Sequence, residues 1–223
     1  MTMAEAVAVP DVSEAAGTND TWFDRPWGRY AFAVEGDAID AALNTQPGTR
    51  VVDVGCGTGR FARRAEQDGA GVVLLDLDPM MVAVATSHAR GPRVVADAHA
   101  LPLRDGAADA AVAITLLEFT ADPATVIAEL ARITRPGGRI VVGALNPTSL
   151  WGCAHRHELR AGTWCDARFL TRRQLRTLGG AHGRVQLRGV LFAPAVFPGL
   201  RWLGPLLEPL IDSHPNSARS RSS

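Results

Sequence analysis

The stretch VVDVGCGTGRFA, residues 51–62, decides the fold of this chain. Its first residues, 51–54, are a short β-branched run of the kind that forms a buried strand in a parallel sheet. Three glycines follow at alternate positions, and residues 60–65 can then begin a helix. A strand, a glycine turn and a helix in this order predict a nucleotide-binding crossover unit. Glycine suits the turn because it accepts positive φ and lets the backbone approach a ligand with no Cβ in the way.

The glycine spacing argues against two familiar ligands. The dinucleotide fingerprint needs a further glycine where this chain has Arg60. A phosphate loop needs a lysine, and the chain contains none. A nicotinamide oxidoreductase is therefore the least favoured of the functions considered, and a lysine nucleophile is excluded.

Two further predicted strands end in a carboxylate. Residues 72–76 predict a second strand that ends at Asp76, and residues 93–98 predict a third that includes Asp97 and Ala98. Ligands of parallel sheets bind at the carboxyl ends of the strands. Asp76 is therefore placed to accept the ribose hydroxyls of an adenosine, and Asp97 to accept a hydrogen bond from the adenine amino group, with Ala98 beside the ring. Asp78 is interpreted as a helix N-cap rather than a ligand contact.

The rest of the predicted sheet follows in order. Residues 109–115, 140–145 and 184–192 predict a fourth, fifth and sixth strand. Asp122 predicts the cap of a helix that runs to about residue 134, and Thr171 the cap of another. Residues 135–139 predict a sharp turn.

Three motifs together resemble those of a known family. DVGCGTG (53–59), DAHALP (97–102) with a later Asp109, and RPGG (135–138) resemble the small-molecule, UbiE-like branch of class I S-adenosylmethionine (SAM) dependent methyltransferases. The resemblance covers about residues 22–210. It implies an α/β fold, with a Rossmann-like, mostly parallel sheet of seven strands and helices on both faces. It also implies SAM contacts at Asp53, Gly55, Gly57, Asp76, Leu77, Asp97, Ala98 and Thr115.

The resemblance implies transfer of the SAM methyl group to a small-molecule acceptor. The sulfonium is already activated, so the protein mainly has to hold the acceptor and the methyl group in line, with water excluded. Asp53 suits the cationic methionine end of SAM. Glu118, His155 and His157 are candidates for proton removal, and none is preferred. The alternative from another class is a SAM-binding protein without turnover.

Nucleic acid is not the expected substrate. The chain carries equal numbers of acidic and basic residues, so it lacks the basic charge of a nucleic-acid-binding protein. Enzymes of this class that methylate the amino groups of DNA bases carry Asn/Asp-Pro-Pro-aromatic after the fourth strand. This chain has TLLE, residues 115–118, at that place.

An aromatic window precedes the first strand. Residues 22–30 hold Trp22 and the only tyrosine, Tyr30, and residues 31–43 have helical spacing. One interpretation is an N-terminal helix held by aromatic packing. The other is a lid over SAM with Trp22 and Tyr30 as lid residues, which makes Tyr30 a candidate cofactor contact.

A long excursion, residues 146–170, lies on the expected substrate side. Cys153, His155 and His157 alternate in it, so an extended segment would aim all three the same way, and Cys165 could complete four zinc ligands. The spacing matches no standard zinc pattern, so no metal is predicted. Zinc is kept as a hypothesis that metal analysis would test.

The later part of the chain is rich in arginine. A solvated face is the favoured interpretation, and a site for an acidic substrate, bound by bidentate pairing, is the alternative. The arginines concerned are Arg156, Arg160, Arg168, Arg172, Arg173, Arg176, Arg184 and Arg188.

Cysteine usage and hydropathy bear on location. Three cysteines favour a reducing compartment, and the first residues lack the pattern of a signal peptide, so a cytoplasmic protein is expected. The apolar stretch before residue 211 is broken by prolines and Arg201, so it is not a membrane span. Peripheral membrane contact through Trp202 stays open.

The ends of the chain are polar or small in composition. We expect tails at residues 1–19 and 213–223 around one domain at residues 20–212. Residues 213–223 have no strand pattern, so the final antiparallel strand of the family is expected to be missing. The oligomeric state is left open.

Overall fold

The structure is a computed structural model that describes residue 21 and residues 23–146 and 167–190. Helices and strands follow one another along this part of the chain, except that β4 comes after β3 with no α-helix between them. They are α1 (Pro26–Leu43), β1 (Arg50–Val54), α2 (Arg60–Gln67), β2 (Gly71–Asp76), α3 (Pro79–Val84), β3 (Arg93–Val95), β4 (Ala108–Ile114), α4 (Pro123–Ile133), β5 (Thr134–Gly143) and α5 (Arg172–Gly180).

The strands form one parallel sheet in the order β3-β2-β1-β4-β5. β1 lies at its centre, and four of its five residues, three valines and Asp53, are buried, as is typical of a strand covered on both faces. The order reverses between β1 and β4, which makes the carboxyl edge near β1 the expected ligand site. The predicted Rossmann-like, parallel fold is confirmed. Five strands, not seven, are present in the described part of the chain.

Two apolar clusters lie on the two faces of the sheet. On one face α1 and α2 cover Val51, Val72 and Leu74. On the other, α4 and α5 cover Val52, Val54 and the turn after β4. Helices on both faces are thus confirmed. Within the described residues, no helix is both long and apolar enough to cross a membrane.

Local capping signals set several helix starts as predicted. The side chain of Asp78 accepts a hydrogen bond from Met80 N, and that of Asp122 accepts from Ala124 N and Thr125 N. Thr171 and Gln174 form a reciprocal capping box at the start of α5. The first helix begins earlier than the spacing predicted, at Pro26 rather than residue 31. Proline fits this place because a first helical turn needs no amide donor there.

The predicted turn at residues 135–139 lies inside a strand. β5 pairs with β4 through Thr134 and then through Arg139, while β4 advances only from Ala108 to Ala110. The extra residues form a bulge, with Gly137 at φ +76°. The chain is irregular at the predicted place, but the segment is part of β5 rather than a separate turn. Regular pairing with β4 resumes at Arg139.

The prediction of a sixth strand at residues 184–192 is not met in its described part, because residues 184–190 pair with no strand. Their exposure does alternate, with Val185 and Leu187 half-buried and Arg184, Gln186 and Arg188 exposed. Alternation shows that one side is covered, but a strand also needs a hydrogen-bonded neighbour. The two tails and the predicted missing strand at residues 213–223 lie outside the described residues.

Candidate active site

The glycine turn, residues 55–59, links β1 to α2 at the carboxyl edge of the sheet. Gly55, Gly57 and Gly59 all have positive φ, at +70°, +52° and +79°. A Cβ on Gly55 would lie 2.7 Å from the Leu116 side chain, whereas one on Gly57 would meet nothing within 4 Å. Gly57 thus presents bare backbone to open space, which is what a ligand lying against the turn requires.

Asp76 ends β2 and is bonded to the glycine turn. Its Oδ2 accepts a hydrogen bond from Gly57 N at 2.8 Å, and its Oδ1 accepts one from Asp78 N at 3.0 Å. Each carboxylate oxygen can accept more than one hydrogen bond. Asp76 therefore keeps capacity for two hydroxyl groups while its orientation is fixed by the backbone. Burial raises its pKa above the ordinary value.

Asp53 lies one strand away and is buried in β1, with 2% of its surface exposed. Burial, and then the charge of Asp76, raise its pKa to about 7. Two acids close to each other at a buried edge favour a cationic ligand, because a positive charge there relieves both burial and repulsion. This fits the ammonium and sulfonium groups of SAM. Burial also raises the pKa of the neighbouring Cys56 thiol, so that thiol stays protonated.

Asp97 lies two residues beyond β3, which ends at Val95, so the prediction that this strand includes Asp97 and Ala98 was wrong. Its Oδ1 accepts hydrogen bonds from His99 N at 2.9 Å and from His99 Nδ1 at 2.7 Å. These bonds lower the pKa of Asp97, and the ionised carboxylate requires the ring proton to be on Nδ1. Oδ2 of Asp97 takes part in neither of these two bonds. Ala98 is buried in the core cluster next to it.

Two other predicted contacts, Leu77 and Thr115, directly follow strands at this edge, and the third, Tyr30, lies in α1. Leu77, directly after Asp76, is 68% exposed, which is unusual for a leucine beside buried strands. Thr115 directly follows β4 with φ +53°, and its N donates to Gly143 O. A β-branched residue in this conformation is strained, and such strain collects at functional sites. Tyr30 is half-buried in the first turns of α1.

The Glu118 side chain, a candidate for proton removal, is fully buried in a 3-10 turn after β4. Its Oε1 accepts from Leu145 N at 2.6 Å, and its Oε2 has no hydrogen-bond partner in the described structure. Burial raises its pKa. The side chain therefore ties the ends of β4 and β5 together at the ligand edge. The other candidates, His155 and His157, lie outside the described residues.

The residues of the zinc hypothesis and part of those of the lid hypothesis also lie outside the described residues. Cys153, Cys165 and Trp22 are not among the described residues. Within those, no group of three or more metal-ligating side chains occurs. From the aromatic window, Phe23 packs on Phe32 at 5.6 Å between ring centroids, and Phe32 on Phe61 at 5.0 Å. These rings join the start of α1 to the first turn of α2, next to the glycine turn.

The environments of two residues, His99 and Glu35, are not predicted by the sequence motifs. His99 orients Asp97, and no spacing rule predicts such a contact. Glu35 lies on the core-facing side of α1, between Ala31 and Ile39 at spacings of one helical turn. Burial raises its pKa to about 7. The available signal was a lone acid within an apolar stripe of a predicted helix.

Comparisons with known proteins agree with this geometry. Residues 52–142 match the family described as a methyltransferase domain. The malonyl-[acyl-carrier protein] O-methyltransferase of Serratia marcescens is 33% identical over 166 residues, which is 72% of this chain and 65% of that protein. The ubiquinone biosynthesis O-methyltransferase of Xanthomonas oryzae pv. oryzae is 35% identical over 118 residues, 50% of this chain and 49% of that protein.

A solved structure shows the same fold. A SAM-dependent methyltransferase from Thermotoga maritima superposes with a TM-score of 0.68 and 26% identity, covering 78% of this chain and 79% of that one. The chain spans between about half and two thirds of the length of the two curated relatives. Residues 52–142 thus match a methyltransferase domain, and the chain is similar in sequence to O-methyltransferases and in fold to a SAM-dependent methyltransferase.

Proposed function

We propose that this protein transfers the methyl group of SAM to an oxygen of a small acceptor. The observation that carries the proposal is the hydrogen bond between Asp76 and Gly57 N, which fixes a ribose-accepting carboxylate against bare backbone. In this arrangement Asp76 accepts the ribose hydroxyls, Asp97 accepts from the adenine amino group, and Asp53 with the glycine turn holds the methionine part. Leu77 covers one face of the adenosine.

We infer further that the acceptor oxygen belongs to a carboxylate. A carboxylate is ionised at neutral pH, so it attacks the methyl carbon without losing a proton, whereas a hydroxyl needs a base. In the described part of the site every acid is otherwise engaged: Asp53 is buried, Asp76 and Asp97 are hydrogen-bonded, and Glu118 holds Leu145. The Serratia relative, by its name, is also an O-methyltransferase that acts on a malonyl group.

The chemical balance is simple. An acceptor oxygen forms a bond to the methyl carbon as the bond from that carbon to sulfur breaks, and the sulfur keeps the electron pair. The products are a methyl ester and S-adenosylhomocysteine, and no proton is released. The protein's part is to align donor and acceptor at short range.

An acceptor screen tests this function. Protein and isotope-labelled SAM are incubated with malonyl-pantetheine, a phenol and an amine, and products are identified by mass spectrometry. We expect a methyl ester of the malonyl compound and none with Asp76→Asn. Methylation of the phenol or amine alone would contradict the carboxylate assignment. Binding of SAM with no methylated product from any acceptor would favour the alternative of a SAM-binding protein without turnover.

A further inference from the structure

One side of α5 is made of arginine. Arg172, Arg173 and Arg176 lie within about a third of the helix circumference, given the rotation per residue, and all three are exposed. We call these three residues the arginine face. The opposite side of α5 carries Leu175 and Leu178, which pack on the core cluster.

The described segment that contains the arginine face carries no acidic residue. Residues 167–190 contain six arginines and neither aspartate nor glutamate. None of the three arginines forms an ion pair with a described residue. Some arginines elsewhere in the described structure are ion-paired, such as Arg50 with Asp109 and Arg132 with Glu129. An ordinary solvated surface mixes both signs, so an unbalanced face indicates a partner of opposite charge.

The arginine face is also held in place. The capping box of Thr171 and Gln174 fixes the start of α5, and Arg168 N donates to Glu118 O at 2.7 Å just before it. Ordering the helix before binding lowers the entropy cost of docking.

A groove lies beside the arginine face. It has a volume of about 360 Å³ and lies between α5 and the start of α4, with Leu170, Leu178 and Pro123 along it and Arg173 in its wall. α4 follows β4, so its first turn lies at the carboxyl edge, where the SAM site is. The groove also contains one acid, Asp122, whose carboxylate caps α4.

We propose that the arginine face docks the carboxylate-rich surface of a carrier protein that presents the acceptor as a thioester, with the groove receiving its flexible arm. This rests on the proposed carboxylate methylation. Arginine pairs with carboxylates through two parallel hydrogen bonds, which suits an acidic protein surface. The name of the Serratia relative states a substrate carried in this way. Docking there would place the acceptor on the side of the sheet where SAM binds.

The test separates docking from chemistry. Binding of fluorescently labelled malonyl-acyl carrier protein is measured for the wild type, for Arg172→Glu/Arg173→Glu/Arg176→Glu, and for a control, Arg63→Glu/Arg90→Glu/Arg104→Glu. The control changes the same charge at exposed arginines on other surfaces. Circular dichroism confirms folding. We expect binding to weaken about tenfold or more in the α5 variant, and by about twofold or less in the control.

Turnover gives the second readout. We expect kcat/KM for malonyl-acyl carrier protein to fall about tenfold or more in the α5 variant, with little change for malonyl-pantetheine, which lacks the carrier. Carrier binding without methylation of either compound would support the docking surface and refute the proposed function. Equal carrier binding by the α5 and control variants would overturn the inference. So would binding of anionic phosphatidylglycerol vesicles or duplex DNA, and not of carrier, through these arginines.

Discussion

At the scale of single residues, His99 orients the carboxylate of Asp97. It holds Oδ1 of Asp97 through two hydrogen bonds, and in the proposed SAM site Oδ2 would accept from the adenine amino group. We predict that His99→Ala weakens binding of S-adenosylhomocysteine about three- to tenfold, the value of one oriented hydrogen bond. Binding of S-inosylhomocysteine, which lacks the amino group, should not change. The measurement is calorimetric titration of both ligands, with His182→Ala as control.

An equal loss for both ligands would contradict this role. It would mean that His99 supports the loop as a whole rather than the carboxylate that recognises the amino group.

Glu35 should make stability depend on pH. Its folded pKa of about 7 exceeds the ordinary 4.5, so the folded state binds more protons between these values. Stability from this group therefore falls as pH rises from 4.5 to 7, and then levels off. We predict that Glu35→Gln matches the wild type at pH 4.5 and is more stable at pH 8 by about 1 to 3 kcal/mol. Urea unfolding at both pH values measures this.

The matched control is Asp37→Asn, which changes an exposed acid on the same helix. It should shift stability little at either pH. A wild-type advantage over Glu35→Gln at pH 8 would show that the carboxylate is stabilised by a partner when charged.

We expect Glu118 to support the structure and not to accept a proton in the methyl-transfer reaction. Glu118→Gln keeps an acceptor for Leu145 N, so we predict an unchanged kcat and pH profile for methylation of malonyl-pantetheine. Glu118→Ala removes that acceptor and opens a cavity, which should cost about 2 to 4 kcal/mol of stability. A large loss of kcat in Glu118→Gln, with normal stability, would instead make Glu118 the proton acceptor.

The residues that local rules govern could be predicted from the sequence. Asp78 and Asp122 cap helices through neighbours two or three positions away, and Asp76 is the last residue of its strand. His99 and Glu35 could not, because their roles depend on where a side chain points after the chain has folded.

At the scale of elements, the connection from α3 to β3 depends on Gly91. A Cβ there would clash with the Val72 backbone carbonyl, which cannot move without disturbing β2. We predict that Gly91→Ala costs about 2 to 4 kcal/mol. Gly48→Ala meets no atom within 4 Å but must keep φ +85°, so it should cost only about 1 kcal/mol. Thermal unfolding compares them, and equal losses would contradict the steric account.

The strands were predictable to different degrees. β1, β2 and β4 lie inside the sheet, so burial on both faces gives each a continuous apolar run. β3 has three residues at an edge, where pairing with one neighbour limits its length. Residues 184–190 have strand-like alternation and no strand partner in the described structure. Pairing is a property of the sheet and cannot be deduced from one segment.

At the scale of the whole molecule, the charge is unevenly distributed although the total is zero. Three carboxylates, Asp53, Asp76 and Asp97, lie at or near the carboxyl ends of the strands. In α5 the charged residues are all arginines. The first group suits the cationic end of SAM, and the second suits an acidic partner. The motifs proposed for the cofactor site are local, so they can be recognised in the sequence alone. Placing the arginine face beside the groove required the packing of α5 on α4.

The central claim is that Asp76 and the glycine turn form a SAM site. Calorimetric titration of the wild type, Asp76→Asn and the exposed-site control Asp37→Asn with SAM tests it most directly. The account predicts binding by the wild type with one SAM per chain, nearly the same affinity in the control, and a loss of about tenfold or more in Asp76→Asn, since two hydroxyl bonds to a charge are removed. Equal affinity in the wild type and Asp76→Asn, or no SAM binding by the folded wild type, would contradict it.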